Sequence, residues 1–495
     1  MRGNLVNNKK VIGLLLAGVV FFGGAPYLVG DMARDTLQQQ AEQISEIPGY
    51  ALNIKSYDQG WFTSHAVITY GFDQHTLNIM QKDTADKSPE DDALLSLLKE
   101  GLTFDIDIAH GPVTFQNGIN FALMTLEGKL QDINHEAYKI FKQKAQINSL
   151  MQLAAKVSYG GSTTIEMNSP AFKTDYSDIA GQRLIIAYDG MKASATINAA
   201  MDKYDAHVTL NKMNLENDKV KVAMGLIQAD VSGDKLNDHL WLGKGTTTFT
   251  EMMIKMPTGN LQLKNLYSEY DLAKESEKAL TLKALLSSKE FSIPQLSLKD
   301  VTLDIEANHL DLAAVTDYVK SIQALYKNED GSTPTEQEIA VKTQRIATRV
   351  GEQLIKGSPE IIIKKLDFSM GNGRLQGTSK LNINGENLQN IQVLSDPVAL
   401  NKRLINTTDI TFDKPLATAI MELTMKQQMA AAGMDLSALP PEQLSQTVKV
   451  QTSMMLQQMV SQGYFTQNGD TFTSHFEMKD GKRLINGKQL ALPGM

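Results

Sequence analysis

Hydrophobic and polar positions along this chain change period in a way that sets out its elements. Residues 11–29 read VIGLLLAGVVFFGGAPYLV and carry no charged side chain. A helix of that length rises roughly 28 Å, the thickness of a bilayer's hydrocarbon core. From Asp31 to about Ile47 the sequence turns polar and Gln-rich, a helix that Pro48-Gly49 ends. The period then drops to two. Leu52, Ile54 and Ser56 alternate with polar neighbours, then Ala66, Ile68 and Tyr70, then Phe104, Ile106 and Ile108 against Asp105 and Asp107. Gly111-Pro112 interrupts this last run before Val113 and Phe115 resume it. Residues 81–92 read as a polar loop and 93–100 as a short helix.

Residues 131–153 place Ile133, Ala137, Ile140 and Phe141 on one helical face. Strand-like runs follow at 161–168, 182–188, 191–198, 207–210 and 220–228, punctuated by Asn, Asp and Gly as in an antiparallel meander. Another pair, 241–256 and 261–267, flanks the turn signal Pro257-Thr258-Gly259-Asn260. A strand-pair region at 295–310 presents Leu296, Leu298, Val301, Leu303 and Ile305, and 312–326 is helical. A second helix, to about Ile355, starts with Thr333 as cap, Pro334 in the first turn and Glu336 completing a capping box. Strands 361–370 and 374–383 meet across Gly371-Asn372-Gly373, and 416–464 is a helical pair broken at Pro440-Pro441. A hairpin of 471–479 and 482–490 over Asp480-Gly481 closes the chain. Phe472, Phe476 and Met478 share one face of its first strand, and Thr471, His475 and Glu477 the other.

This order predicts an α+β fold: a single N-terminal transmembrane helix, then a large, mainly antiparallel β-sheet with helices packed on its apolar side. The regions are a tail at 1–10, the anchor at 11–29, a β-rich region at 30–320, a helical segment at 321–358 and an α+β region at 359–495 that ends in the hairpin.

Charge gives the anchor a direction. Arg2, Lys9 and Lys10 precede it, no acidic residue occurs among the first 30, and Asp31 follows. The tail is therefore cytoplasmic and the bulk lies across the membrane. A cleaved signal peptide is the competing reading. Cleavage after Gly23-Gly24-Ala25 would leave Pro26 first in the mature chain, and the apolar run exceeds a signal core, so an uncleaved signal anchor is expected. Two other charge-free stretches, 108–126 and 450–469, hold too many Gln, Asn, Thr and Ser to sit in lipid, which makes the protein single-pass. The net charge of −8 has the wrong sign for a nucleic-acid binder, and 6% aromatic residues would make a poor base-stacking platform. With no cysteine there is no disulfide, thiolate metal site or cysteine nucleophile.

No recognisable catalytic constellation is present. The sequence lacks GxxxxGK[ST], a helix-opening GxGxxG, HExxH and GxSxG. Its eight histidines are isolated, none within five residues of another. Asp105 and Asp107 read as a solvated strand face rather than an acid/base pair, and Glu90, Asp91 and Asp92 as a loop charge run. No cofactor or metal is expected. Met421, Met425 and Met429, with Met454, Met455 and Met459, read as helix-pair packing, or alternatively as an adaptable surface for acyl chains or a partner helix. Trp61-Phe62 reads as core packing at the start of a strand, with a lipid-facing contact as the alternative. QGWFT at 59–63 resembles QGYFT at 462–466, and FTSH occurs at 62–65 and 472–475, a similarity that chance supplies in a chain of this length.

Four features together resemble the YdgA-like family of bacterial inner-membrane proteins, whose biochemical function is unknown. They are the anchor; Tyr57, Gly60, Trp61, Phe62 and Ser64 in YDQGWFTS, similar to the family's Y-x-x-G-x-F-x-S; His110-Gly111-Pro112, similar to its H-G-P strand break; and the ending from Tyr464 to Asn486-Gly487-Lys488, similar to its N-G-K hairpin. The resemblance implies a single-pass protein of the Gram-negative inner membrane with its bulk in the periplasm, and it implies no catalytic residues. His110-Gly111-Pro112 also reads as a place where a strand bends or changes sheet.

The function expected is that of a membrane-anchored, non-enzymatic envelope protein with a structural or binding role. One alternative is a lipid-handling protein with an apolar groove, and another a hydrolase whose site is assembled from distant residues. The partners expected are the membrane itself, an envelope protein or lipid, and a second copy of the chain, with no nucleic acid.

Overall fold

The computed structural model describes residues 38, 41, 49–74, 76–77, 98–111, 113–116, 118–133, 136–177, 183–294, 296–325, 334–431 and 441–489. The predicted anchor at 11–29, most of the helix predicted to follow it, the loop at 81–92 and Pro112 lie outside these residues. Among the described residues, no helix is long and apolar enough to cross a membrane. The chain divides into two compact units, 1–219 with 225–245 and 316–346, and 220–224 with 246–315 and 347–495.

The first unit is built on one antiparallel ladder. β1 (Tyr50–Gln59), β2 (Thr63–Phe72) and β3 (Leu102–His110) pair in turn. A two-stranded excursion, β4 (Val113–Thr114) with β5 (Asn120–Phe121), leads to β6 (Met124–Leu130), which pairs with β3. Helix α1 (Glu136–Ala145) precedes β7 (Gln152–Val157) and β8 (Thr163–Ser169). β9 (Phe172–Ser177) and β10 (Arg183–Tyr188) form a side ladder with β13 (Met213–Glu216). The main ladder continues through β11 (Met191–Ile197) and β12 (Lys203–Leu210). β14 (Lys221–Met224) belongs to the second unit, and β15 (Ile227–Lys235) pairs with β12. The strand order is β1-β2-β3-β6-β7-β8-β11-β12-β15.

Period-two alternation sorts this sheet into two chemistries. Ala66, Ile68, Phe104, Ile106, Ile108, Leu126, Leu153, Ile165 and Ile197 form one buried core. Asp105, Asp107, Glu127 and Glu166 point the other way. A slip of one residue in any strand would exchange the two sets, so burial fixes the register. The helix predicted across 131–153 is only the ten residues of α1. Gln146 takes a positive φ of 54° after it, and Leu153 joins the core from β7.

The second unit is a second ladder with longer strands. β16 (Trp241–Met256), whose first five residues belong to the first unit, pairs with β14, and β17 (Gly259–Lys274), β18 (Ala279–Ile293) and β19 (Leu296–Asp311) follow. Helices α2 (Leu312–Gln323) and α3 (Glu336–Lys356), each divided between the two units, precede β20 (Glu360–Met370) and β21 (Gly373–Ile383). Then come α4 (Pro397–Arg403), β22 (Leu404–Asp413), α5 (Lys414–Ala431) and α6 (Pro441–Ser461). β23 (Thr466–Asn468), β24 (Thr471–Lys479), β25 (Lys482–Ile485) and β26 (Lys488–Gln489) close the chain. The order is β17-β18-β19-β20-β21-β22-β24-β25-β26, antiparallel throughout.

Several details correct the sequence reading. The capping box of α3 lies two residues later than expected: Glu338 accepts from the Thr335 amide at 2.6 Å, and its own amide donates to Thr335 Oγ1. The final strand breaks at Asn486-Gly487, both at positive φ, so the ending is two tight hairpins instead of one. β9, β18 and β22 lie where no strand was expected. The helical pair is as read: Ala417 of α5 and Leu456 of α6 pack with Phe472 of β24.

Candidate functional site

Two of the sequence motifs meet at one end of the first sheet. β1 and β2 are joined by a tight turn at 60–62, closed by Gly60 donating to the Thr63 carbonyl at 2.8 Å. Thr63 lies opposite Ala109, and His110 opposite Met124. This register brings YDQGWFTS beside His110-Gly111. His110 donates its amide to the Phe62 carbonyl at 2.8 Å, and its Nε2 lies 3.1 Å from Ser64 Oγ. Both side chains are buried. Gly111 donates to the Leu123 carbonyl at 2.7 Å, and a Cβ there would meet the Ala122 carbonyl oxygen at 2.0 Å. Tyr57 packs against the core of this unit. Ser64 and His110 thus lock the strand end, where neither is open to a substrate.

The expectation of core packing for Trp61-Phe62 is overturned. Trp61 is 62% and Phe62 65% exposed, the two rings meeting edge-on at 6.5 Å. They occupy the turn rather than a strand, so no sheet face receives them. Neighbouring turns at the same end expose more apolar side chains: Phe115, Ile119 and Phe121 around β4 and β5, and Tyr159 between β7 and β8. Sequence reading missed these four as surface residues. The available signal was the charge-free stretch 108–126, whose aromatics sit next to turn formers.

The ending motif is likewise a structural tie. Asn486 Nδ2 donates to the carbonyls of Gly463 (3.0 Å) and Tyr464 (3.1 Å), while its Oδ1 accepts from the His475 amide at 2.9 Å. Gly487 completes the turn and exposed Lys488 opens β26.

The polar face of the first sheet carries a shallow depression lined by Asp105, Asp107, Glu127, Lys129, Gln152 and Glu166. His65 Nδ1 lies 2.8 Å from Asp107, directly across the strands, and His207 pairs with Asp230 in the same way at 2.6 Å. In the second unit His475 faces Asp409 at 2.7 Å, with Glu477 on its other nitrogen at 3.1 Å. Asp409 first, then Glu477, holds the His475 imidazole above its ordinary pKa. The three histidine–aspartate contacts are cross-strand pairs on solvated faces. Among the described residues, no group of three or more His, Asp or Glu is arranged to hold a metal ion.

The apolar face of the second sheet differs from that of the first. Leu282, Ala307, Ile361 and Leu381 form one cross-strand row, Ala284, Ile305 and Ile363 the next, and Leu286, Leu303 and Leu366 a third. In the first sheet the corresponding positions are closed off; Ile106 and Ile108 are 0% exposed. Here Leu286 is 40% and Ile361 42% exposed, and the rest are half-buried. Charges beside these rows lie on the opposite face, in pairs such as Lys364–Glu306 and Arg374–Asp367. Along the strands the three rows span Leu282 to Leu286 of β18, roughly 14 Å.

No curated protein and no solved structure matches the chain. A family model described as bacterial protein of unknown function (DUF945) matches residues 8–493, nearly the whole length, so the chain belongs to the DUF945 family of bacterial proteins.

Proposed function

We propose that this is a membrane-tethered, non-enzymatic protein of the bacterial envelope, YdgA-like, held in the inner membrane by residues 11–29 with its bulk in the periplasm. Its second unit holds acyl chains along the open apolar face of β18, β19 and β20. One observation carries the binding role: an uncharged apolar stripe across β18, β19 and β20 that stays half-exposed while Lys283, Glu306 and Lys364 beside it lie on the other face. An exposed stripe of this kind marks an interaction surface. A lipid chain suits it better than a protein partner, because the stripe offers no charge or hydrogen-bonding side chain to fix orientation.

Native mass spectrometry of the full chain, extracted in mild detergent, is expected to show phospholipid-sized adducts. Leu303→Glu should remove them, and Thr302→Glu, on the opposite face of β19, should leave them in place. A lipid-free parent chain, or adducts indifferent to Leu303→Glu, would refute the reading.

A further inference from the structure

The apolar end of the first unit has a sharp chemical boundary. No charged residue occurs at 59–64, 108–126 or 157–165, the stretches that form its three adjacent turns. Charges return one step back along the strands, at Asp58, Asp107, Glu127, Lys156 and Glu166. Beyond that line project Trp61, Phe62, Phe115, Ile119, Phe121 and Tyr159, all exposed. Between them lie Gly, Ser, Thr, Gln and Asn, which keep the turn backbone soluble without adding charge.

We propose that these turns dip into the interfacial layer of the bilayer that carries the N-terminal segment, an inference that rests on the tether of the proposed function. Trp, Tyr and Phe concentrate at the lipid–water interface, where an apolar ring body and a hydrogen-bonding edge are both accommodated. Charge complementarity favours an uncharged surface. The turns hold no basic residue to draw anionic lipid, and the chain as a whole is net negative. The occupant is therefore a zwitterionic interface entered by ring insertion.

β1 starts at Tyr50, at the end of the sheet opposite the turns, and its ten residues carry the chain roughly 34 Å to them. Gln38 and Ala41 are helical and Ala41 packs in the core of this unit, so residues 30–37 form the link to the bilayer, at most about 26 Å when extended. Insertion of a few rings is weak by itself, but a tether of this length makes it intramolecular and raises the effective concentration toward the millimolar range.

The chain's two tryptophans make the test direct. Trp241 is buried against Tyr204 with ring centroids 5.2 Å apart, and Trp241→Phe leaves Trp61 as the sole emitter. The full-length variant is reconstituted into phosphatidylcholine vesicles, either plain or brominated near the headgroup end of the acyl chains. Flotation reports the tether; Trp61 emission reports insertion. The expected result is a floating protein whose Trp61 emission shifts to shorter wavelength relative to detergent and is quenched by the brominated lipid. Adding Phe115→Ser with Phe121→Ser should reverse most of that quenching without loss of flotation. A protein that floats with Trp61 unquenched overturns the insertion and leaves the tether standing. A blue shift without quenching assigns the turns to a protein contact and also overturns it. A chain that does not float overturns tether and insertion together.

Discussion

Replacing Gly111 with Ala should destabilise the first unit by about 3 kcal/mol or more, in the severe tail of single-residue effects. The added Cβ would stand 2.0 Å from the Ala122 carbonyl oxygen and 2.7 Å from that of Leu123. Both obstacles are backbone, so no rotamer change relieves them. The Leu123 carbonyl is also the acceptor for Gly111's own amide, and moving it breaks that bond and strains the adjoining lock between His110, Phe62 and Ser64. Gly118→Ala in the same excursion is the control. Its site has nothing within 4 Å, and only its φ of 108° opposes a side chain, a cost of about 1 kcal/mol. Thermal unfolding of the detergent-solubilised full chain, followed by circular dichroism, separates the two. Equal melting of both variants would contradict the steric account.

Arg374→Ala is the second large effect, in the other unit. Asp367 is 3% exposed on β20 and accepts from Arg374 Nε at 2.8 Å and Nη2 at 2.7 Å, with Gln376 a third donor at 3.4 Å. The Arg374 guanidinium, aided by Gln376, holds the Asp367 carboxyl below the ordinary carboxylate range. Removing the arginine leaves that buried carboxylate short of donors, which costs about 1–3 kcal/mol. The pH dependence has a definite sign. A depressed folded pKa contributes stability that is present above the unfolded value, about 3.9, and is lost as pH falls through the folded value. Wild type and variant should therefore differ fully at pH 7 and converge at strongly acidic pH. Denaturant midpoints measured across that range check this, and a gap that is constant with pH would exclude the ion pair as its source.

Sequence patterning recovered the parts of this fold that rest on local chemistry. Turn glycines at Gly371 and Gly481 sit at positive φ, as their hairpins require, and the apolar face of Phe472, Phe476 and Met478 is the one turned toward α5 and α6. What patterning missed depends on neighbours distant in sequence. β18 escaped notice because its lysines and serines dilute the alternation of Leu280, Leu282, Ala284 and Leu286, which becomes evident only against β19. The end of α1 is set by a left-handed Gln146, a conformation its residue type does not announce. Exposure was the least legible property. An aromatic beside a turn looks the same in sequence whether it is covered or bare, so Trp61 and Phe62 read as core. The meeting of Ser64 with His110, and of Asn486 with Gly463, is likewise a product of register.

The absence of cysteine makes the binding account directly measurable, since any introduced thiol is unique. An environment-sensitive fluorophore placed singly at Leu303, Thr302, Ile305, Glu306 or Ala307 walks along β19, and phospholipid is then titrated onto delipidated full-length protein. Binding on the apolar face predicts a period-two response, with emission rising and shifting at 303, 305 and 307 and staying flat at 302 and 306. A uniform response along the strand, or none at any position, would contradict it.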